Sequence, residues 1–352
     1  MALHGEIGKI GSIVAEGHSQ DSLFTANDRV HRHNPTRMHV VLRDTFAASG
    51  MELHTADVNS ERKIDFEIHL EARRVPEDGV PRFLIALENP LINPLNADRS
   101  HLSRYLRVFT WNPSLFDLDN VVPIRVPNRI EPMLPFPAFG KRPRFACMIN
   151  ANKLFRKSVP GDLYLERLRT IHWYERHHPE LFDLWGLGWG KPSPAYDLAG
   201  RLRRGLQRVR MGCGWRPFPS WRGEVADKAD VYRTTRYAIC YENNSSVPGY
   251  VTEKLFDALV HGCVPVYWGP EDIGNYVPER CFIDRRRFGA TAELHGFLAR
   301  IDEARYSVYQ RDIADWLSSD AARQFSDEAY AETVVRTISA VIEGGRAHDI
   351  RH

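Results

Sequence analysis

Residues 236–269, RYAICYENNSSVPGYVTEKLFDALVHGCVPVYWG, constrain the fold more than any other part of the chain. Residues 236–241 are apolar, aromatic or small and read as a buried strand. Residues 243–249 are polar and end in Pro-Gly, the composition of a loop. Thr252 stands where a helix N-cap would. Leu255, Phe256, Leu259 and Val260 recur at helical spacing, and Gly262 falls where that helix would stop. Val264, Val266, Tyr267 and Trp268 then make a second strand, with Pro265 marking it as an edge strand or a short one. A strand–loop–helix–strand unit of this kind belongs to an α/β sheet.

In open α/β sheets, ligands bind beyond the carboxyl ends of the strands, where helix N-termini offer free N–H groups to anions. Lys254 is out of place by helix electrostatics. A cation in the first turn opposes the macrodipole by about 0.3–1 kcal/mol, and a bound anion would reverse that sign. A phosphate there could take the Lys254 ammonium, the Asn243 amide and backbone N–H groups together. The other reading is a Lys254 that points to solvent, and chemistry alone leaves both open.

Y-E-N-N, then G-Y-V-T-E-K-L-F-D-A-L, then G-C-V-P-V-Y-W-G resembles the signature of the family-10 α1,3/4-fucosyltransferases, enzymes that move fucose from GDP-fucose to a sugar hydroxyl. The resemblance extends over residues 145–283, and in the first part of the chain only around residues 52–116. It implies a GT-B architecture, α/β with two Rossmann-like domains facing across a cleft, acceptor on the first and nucleotide sugar on the second. It also implies an inverting displacement, with an α1,3-type linkage.

The bulk properties fit such a chain. At 352 residues it exceeds one typical core. Its net charge of +2 gives no global basic field for nucleic acid. Residues 1–17 lack the basic start and continuous apolar run of a signal peptide, and no run of about 18 apolar residues exists to span a membrane. Animal members of the resembled family carry an N-terminal anchor; its absence here implies a soluble, bacterial-type enzyme, cytoplasmic or peripheral to the inner membrane. Five cysteines lack paired metal spacing, and three lie in apolar runs as reduced core thiols. Two N-x-S sequons, at Asn243 and Asn244, fall inside the proposed site, which argues against glycosylation there.

Taken in order, residues 11–15, 52–56, 64–70 and 82–87 are strand candidates and residues 38–48 a helix, the alternation of a Rossmann-like first domain. The strand at 82–87 runs into Glu88-Asn89-Pro90. A carboxylate at the carboxyl end of a sheet strand faces the functional edge of such a domain; a glutamate in a similar E-x-P setting is the family's presumed general base, and the resemblance transfers that role to Glu88. Six prolines between 123 and 143 exclude a helix or central strand and mark an interdomain linker. The expected domains are therefore residues 1–140, residues 144–325, and a C-terminal helix over 326–352 that returns to the first domain.

Residues 144–149 restart a strand, and Asp162 can cap a helix in which Tyr164, Leu168 and Ile171 recur. The family places a phosphate-binding arginine near the start of the equivalent helix. Arg167 is the choice, with Arg169, on another face, as its competitor. Residues 181–189 read as the next strand with a glycine-rich exit. Arg201, Arg203, Arg204, Arg208 and Arg210 are either a solvated insertion or a surface for an acidic partner, including a peripheral membrane contact. Lys228 stands where the family often has a lysine.

The resemblance assigns the remaining roles. Lys254, Arg167 and Asn243 would hold the leaving diphosphate, and Glu253 and Tyr250 would orient the sugar. No D-x-D-like motif falls where a donor metal would sit, and cationic side chains can replace one, so no obligatory metal or other cofactor is expected. Nucleotide sugar and glycan acceptor are the expected partners, with lipopolysaccharide or another surface glycan fitting the acceptor. Two alternatives stay open: a transferase of the same fold using another nucleotide sugar, and a dead transferase that binds carbohydrate or polyanion.

Overall fold

A computed structural model describes residues 8–25, 37–155, 159–195 and 197–349. The chain forms two compact units, one running to Asn128 and resuming at Gln324, the other Arg129–Arg323. The first division falls inside the proline-rich stretch.

The first unit carries six strands: β1 (Lys9–Val14), β2 (Met51–Thr55), β3 (Phe66–Leu70), β4 (Arg82–Ala86), β5 (Arg107–Thr110) and β6 (Val121–Pro123). They pair in the order β2-β1-β3-β4-β5-β6, all parallel. Helix α1 (Arg37–Ala48) crosses from β1 to β2, and the short α2 (Arg99–Leu102) precedes β5. Side-chain alternation along β4 divides the sheet's two faces. Phe83 and Ile85 join a core with Leu42 and Phe46 of α1, while Leu84 and Ala86 join Leu102, Tyr105 and Val108 on the other side. Gly11 of β1 is required by close approach: a Cβ there would stand 2.3 Å from the Phe66 ring across the register.

The last helix, α10 (Asp327–Asp349), belongs to this unit. Its Tyr330, Ala331, Val334, Val335 and Ile338 complete the α1 side of the core, and Arg37 pairs with Asp327 and Glu328 at its start. The chain is tied in at this point by the backbone N–H of Asn128, which donates to Phe325 O at 2.7 Å.

The second unit has five parallel strands: β7 (Arg144–Ile149), β8 (Phe182–Trp185), β9 (Thr235–Tyr241), β10 (Val264–Trp268) and β11 (Ile283–Asp284), in the order β11-β10-β9-β7-β8. Its helices are α3 (Tyr164–His177), α4 (Leu198–Gly212), α5 (Lys228–Tyr232), α6 (Glu253–Leu259), α7 (Thr291–Ala299), α8 (Glu303–Leu317) and α9 (Asp320–Arg323). Pro265 does not place β10 at an edge. β10 pairs on both sides, but β11 reaches only Val266 and Tyr267, so the missing proline N–H faces a gap in that ladder. Gly262 ends the α6 segment with φ +62°, a left-handed residue that only glycine adopts cheaply. Strand β8 stops at Trp185, and the glycine-rich exit begins at Gly186, which turns at φ +117° where an added Cβ would lie 2.1 Å from the Asn150 carbonyl oxygen.

Among the described residues, no helix is long and apolar enough to cross a membrane; residues 1–7 of the N-terminal segment lie outside that set. Four cysteines, Cys147, Cys240, Cys263 and Cys281, are buried free thiols, and Cys213 is exposed.

Candidate active site

In the second unit the chain leaves β7 toward β8 on one side, then returns to place β9 on the other. That reversal separates the two crossover helices and opens a crevice at the carboxyl ends of β7 and β9. A pocket of about 430 Å³ lies there, lined by Asn150 after β7, by Asn243 after β9, and by Arg167, Lys228, Glu253 and Lys254 among others.

Arg167 stands in the first turn of α3, only 2% exposed. Its Nε and Nη2 donate to Tyr241 O at 3.2 and 2.6 Å, and Nη2 also donates to Asn243 Oδ1 at 3.0 Å. The guanidinium lies over the Tyr164 ring, 4.7 Å from its centroid. Burial pushes its pKa below the ordinary arginine value. These bonds run from Nε and Nη2, so Nη1 carries none of them. Arg169, two residues on, is 70% exposed and pairs with Glu166. Helix phase thus separates the two competitors: Arg167 lines the pocket and Arg169 does not.

Lys254 lies at the start of α6. Its Nζ is 3.3 Å from Glu242 Oε2 and 3.2 Å from Glu253 Oε1, and donates to Thr252 Oγ1 at 2.9 Å. Burial opposes the charge, yet the Glu242 and Glu253 carboxylates outweigh it and hold the ammonium well above its ordinary value. The anion that offsets the helix dipole is therefore in part the protein's own. Glu242 is fully buried and accepts Thr252 N–H at 2.9 Å, Thr252 Oγ1 at 2.8 Å and the Tyr267 hydroxyl at 3.3 Å. Thr252 occupies the N-cap position by backbone, but its hydroxyl turns to Glu242 and makes no capping bond.

Glu253 lines the pocket with its side chain half exposed. Burial raises its pKa, and the Lys254 and Lys228 ammoniums more than reverse that, to about 2. Lys228, ion-paired with Asp257, is itself held above the ordinary lysine value by Asp257 and Glu253, against the effect of burial. Tyr250 is buried, and its hydroxyl stands 3.5 Å from Asn243 Nδ2. The structure thus joins Arg167, Asn243 and Tyr250 in one chain of contacts, and Glu253 and Lys254 in another; of the five, all but Tyr250 line the pocket. Asn244, in the second sequon, is fully buried, its amide bonded to Pro160 O and to the Ser246 N–H.

Glu88 belongs to the first unit. It lies two residues beyond β4, half-buried, its Oε1 accepting Asn89 N–H at 2.7 Å. Beside it stands a carboxylate the sequence did not single out. Glu71, just after β3, has φ +69°, a left-handed conformation unusual for a residue with a Cβ. Its Oε1 accepts the N–H groups of Leu87 and Glu88, both at 3.0 Å, and its Oε2 accepts from Asn96 Nδ2. Burial pushes the Glu71 carboxyl upward against these donors, and the Glu88 charge adds to the rise. Glu242 and Glu71 both escaped the sequence reading. Glu242 sits in the quoted Y-E-N-N, where nothing but strand parity at the end of β9 tells that it turns inward.

Among the described residues, no group of three or more His, Cys, Asp or Glu is placed to hold a metal ion.

Two parallel-sheet α/β units, one with a ligand crevice at its sheet reversal, define the GT-B class of glycosyltransferase folds. Solved structures agree on the fold: an α1,3-fucosyltransferase with GDP superposes with a TM-score of 0.51 at 13% identity, covering 97% of this chain and 92% of that one. HepE of Anabaena in complex with UDP gives 0.56 at 10% identity, covering 94% and 100%. Residues 211–338 match the model of glycosyltransferase family 10 (fucosyltransferase), C-terminal part. An α-(1,4)-fucosyltransferase of Arabidopsis thaliana is 43% identical over 68 residues, 19% of this chain and 17% of that protein. An α-(1,3)-fucosyltransferase C of Drosophila melanogaster is 30% identical over 135 residues, 38% and 28%. The alignments thus span less than a third of either relative.

Proposed function

We propose that the protein is an inverting glycosyltransferase that moves fucose from GDP-fucose to a hydroxyl of a glycan acceptor, with an α1,3-type linkage. The observation that carries this reading is the convergence of Arg167, Asn243 and Lys254 on one pocket at the sheet reversal, two of them inside the family-10 match. A departing nucleoside diphosphate gains negative charge at its outer phosphate. Cations already fixed in a partly buried site stabilise that charge without reorganising. Arg167 is locked by Tyr241 O and Asn243, and Lys254 by Glu242 and Thr252, so both are set before the donor arrives. Asn243 Oδ1 is taken by Arg167, and its Nδ2, which donates one hydrogen to the Tyr250 hydroxyl, has a second to meet the donor. Glu253, on the pocket wall, and Tyr250, behind Asn243, orient the sugar, a positioning role.

The attacking hydroxyl must lose a proton as the new bond forms. Glu88 takes it in this reading, as general base on the acceptor side, with Glu71 and Asn96 holding its backbone. Lys254 and Arg167 supply the charge that a divalent ion would otherwise bring, so transfer proceeds without an obligatory metal. The acceptor is a surface glycan such as that of lipopolysaccharide.

HepE in complex with UDP matches the fold as well as the fucosyltransferase does. The fold therefore does not choose the donor, and hydrolysis of GDP-fucose, GDP-mannose and UDP-sugars by the purified protein does. GDP-fucose is expected to be consumed fastest. Preference for a UDP-sugar would overturn the donor assignment, and no turnover of any donor, with sugar-independent glycan binding, would make the chain a binding protein.

A further inference from the structure

Helix α4 is built inside out. The residues it turns toward the body of the second unit are Gly200, Arg204, Gln207 and Met211, at i, i+4, i+7 and i+11, and all are half-buried. Opposite them stand Leu198, Leu202, Leu206 and Val209, which are 73%, 65%, 67% and 73% exposed. At about 100° per residue these four fall within roughly 80° of one another, a continuous apolar ridge facing water. No residue of α4 is buried. The remaining arginines flank the ridge, Arg203 and Arg210 on one side, Arg201 and Arg208 on the other, all exposed. The helix contains no carboxylate; Asp197, just before it, is spent capping the Gly200 N–H at 2.7 Å. At the far end Trp215 lies under the Arg210 guanidinium, 5.1 Å away. Such a ridge, about the length of the helix, is costly in water and stabilises nothing in the fold.

We infer that α4 is an interfacial helix that seats this protein on an anionic lipid surface, its leucine ridge in the acyl boundary and its flanking arginines on the headgroup phosphates. The charge pattern selects this occupant. A second copy of the chain, packing ridge to ridge, would bring its own arginines against these. A nucleic acid would satisfy the arginines and leave the leucines in water. A bilayer surface presents an anionic layer above an apolar one, the order in which α4 presents arginine flanks and leucine crest. The inference does not depend on which donor or acceptor the pocket takes.

The test is flotation of the full chain with vesicles of phosphatidylcholine alone, or of phosphatidylcholine with about 30% phosphatidylglycerol, enough to give a negative surface potential. The protein should float with the anionic vesicles and dissociate as salt is raised. L202E/L206E should bind more than about a hundredfold more weakly, from the loss of two buried leucines. R201Q/R208Q should lose about thirtyfold, at roughly fivefold for each arginine near the surface. Unchanged circular dichroism and thermal midpoint in both variants would establish that the fold is intact. Failure of the parent protein to float with anionic vesicles would overturn the proposal, as would L202E/L206E floating like the parent. Sedimentation velocity without lipid supplies a further arm: a dimer that L202E/L206E dissociates would make the ridge a self-interface and overturn it too.

Discussion

The two units gather charge at the same kind of place, the carboxyl ends of parallel strands, and with opposite sign. In the first, Glu71 and Glu88 follow adjacent strands and are held by backbone N–H groups and the Asn96 amide, with no cation bonded to either among the described residues. In the second, Arg167, Lys228 and Lys254 surround a pocket, and carboxylates lie beneath or beside them: Glu242, Glu253 and Asp257. The difference is instructive about how each charge is kept. An amide-held carboxylate keeps its negative charge available to a proton. A carboxylate-backed cation keeps its charge at any physiological pH and available to a phosphate. A sheet reversal is neutral scaffolding; the residues after the strands set the polarity of what binds.

The comparison predicts that the two clusters fail differently when cut. Glu88→Gln keeps shape and removes the proton acceptor, so transfer should fall by about 10²–10⁴. GDP affinity, by calorimetry, should stay within about twofold, roughly 0.4 kcal/mol. Comparable transfer by this variant, or lost GDP binding, would remove Glu88 from its role. Lys254→Ala should do two things: leave the buried Glu242 uncompensated, at a cost of about 3–5 kcal/mol in stability, and weaken GDP by about 1.5–3 kcal/mol. Adding Glu242→Gln should recover thermal stability and leave GDP binding weak. Recovery of both would mean that Lys254 serves the fold alone.

A smaller contrast lies within α3. Arg167→Ala should weaken GDP by about 1.5–3 kcal/mol, while Arg169→Ala, whose exposed pair with Glu166 is worth at most about 1 kcal/mol to the fold, should leave GDP affinity unaltered. A sensitive Arg169 would mean that GDP approaches the other face of the helix. The smallest effect concerns metal: excess chelator should leave the transfer rate unchanged, and a complete, metal-reversible loss would require a divalent site.

Much of this arrangement was legible in the sequence because its signals are local. The apolar run at 236–241, the helical recurrence from Leu255 to Val260 and the punctuation of Gly262 each report on neighbours a few residues away. The sequence favoured Arg167 and kept Arg169 as its competitor; the helix phase set by Tyr164, Leu168 and Ile171 is what puts Arg167 on the pocket side. What the sequence hid depends on distant partners. Glu242 backs Lys254 as a buried carboxylate only because Thr252 and Tyr267 bond to it. Glu71 acts on the Glu88 loop through bonds to Leu87, Glu88 and Asn96, up to 25 residues off. Pro265 marked an edge strand or a short one, and β10 is five residues long but not an edge, since the shortness of β11 is set elsewhere in the chain.

The docking of α10 into the α1 core has a consequence for synthesis on the ribosome. Chains emerge from the N-terminus, and a unit can close only when its last buried residue is out. The second unit is complete once Arg323 has emerged, whereas the first still lacks Tyr330, Val334 and Ile338 from its core. The strands made first are therefore the ones that must wait, with Phe46, Phe66 and Phe83 incompletely covered, while some two hundred intervening residues are translated and folded. A released chain truncated after Arg323 should carry a protease-resistant second unit behind an open first one, the reverse of the order in which they were made.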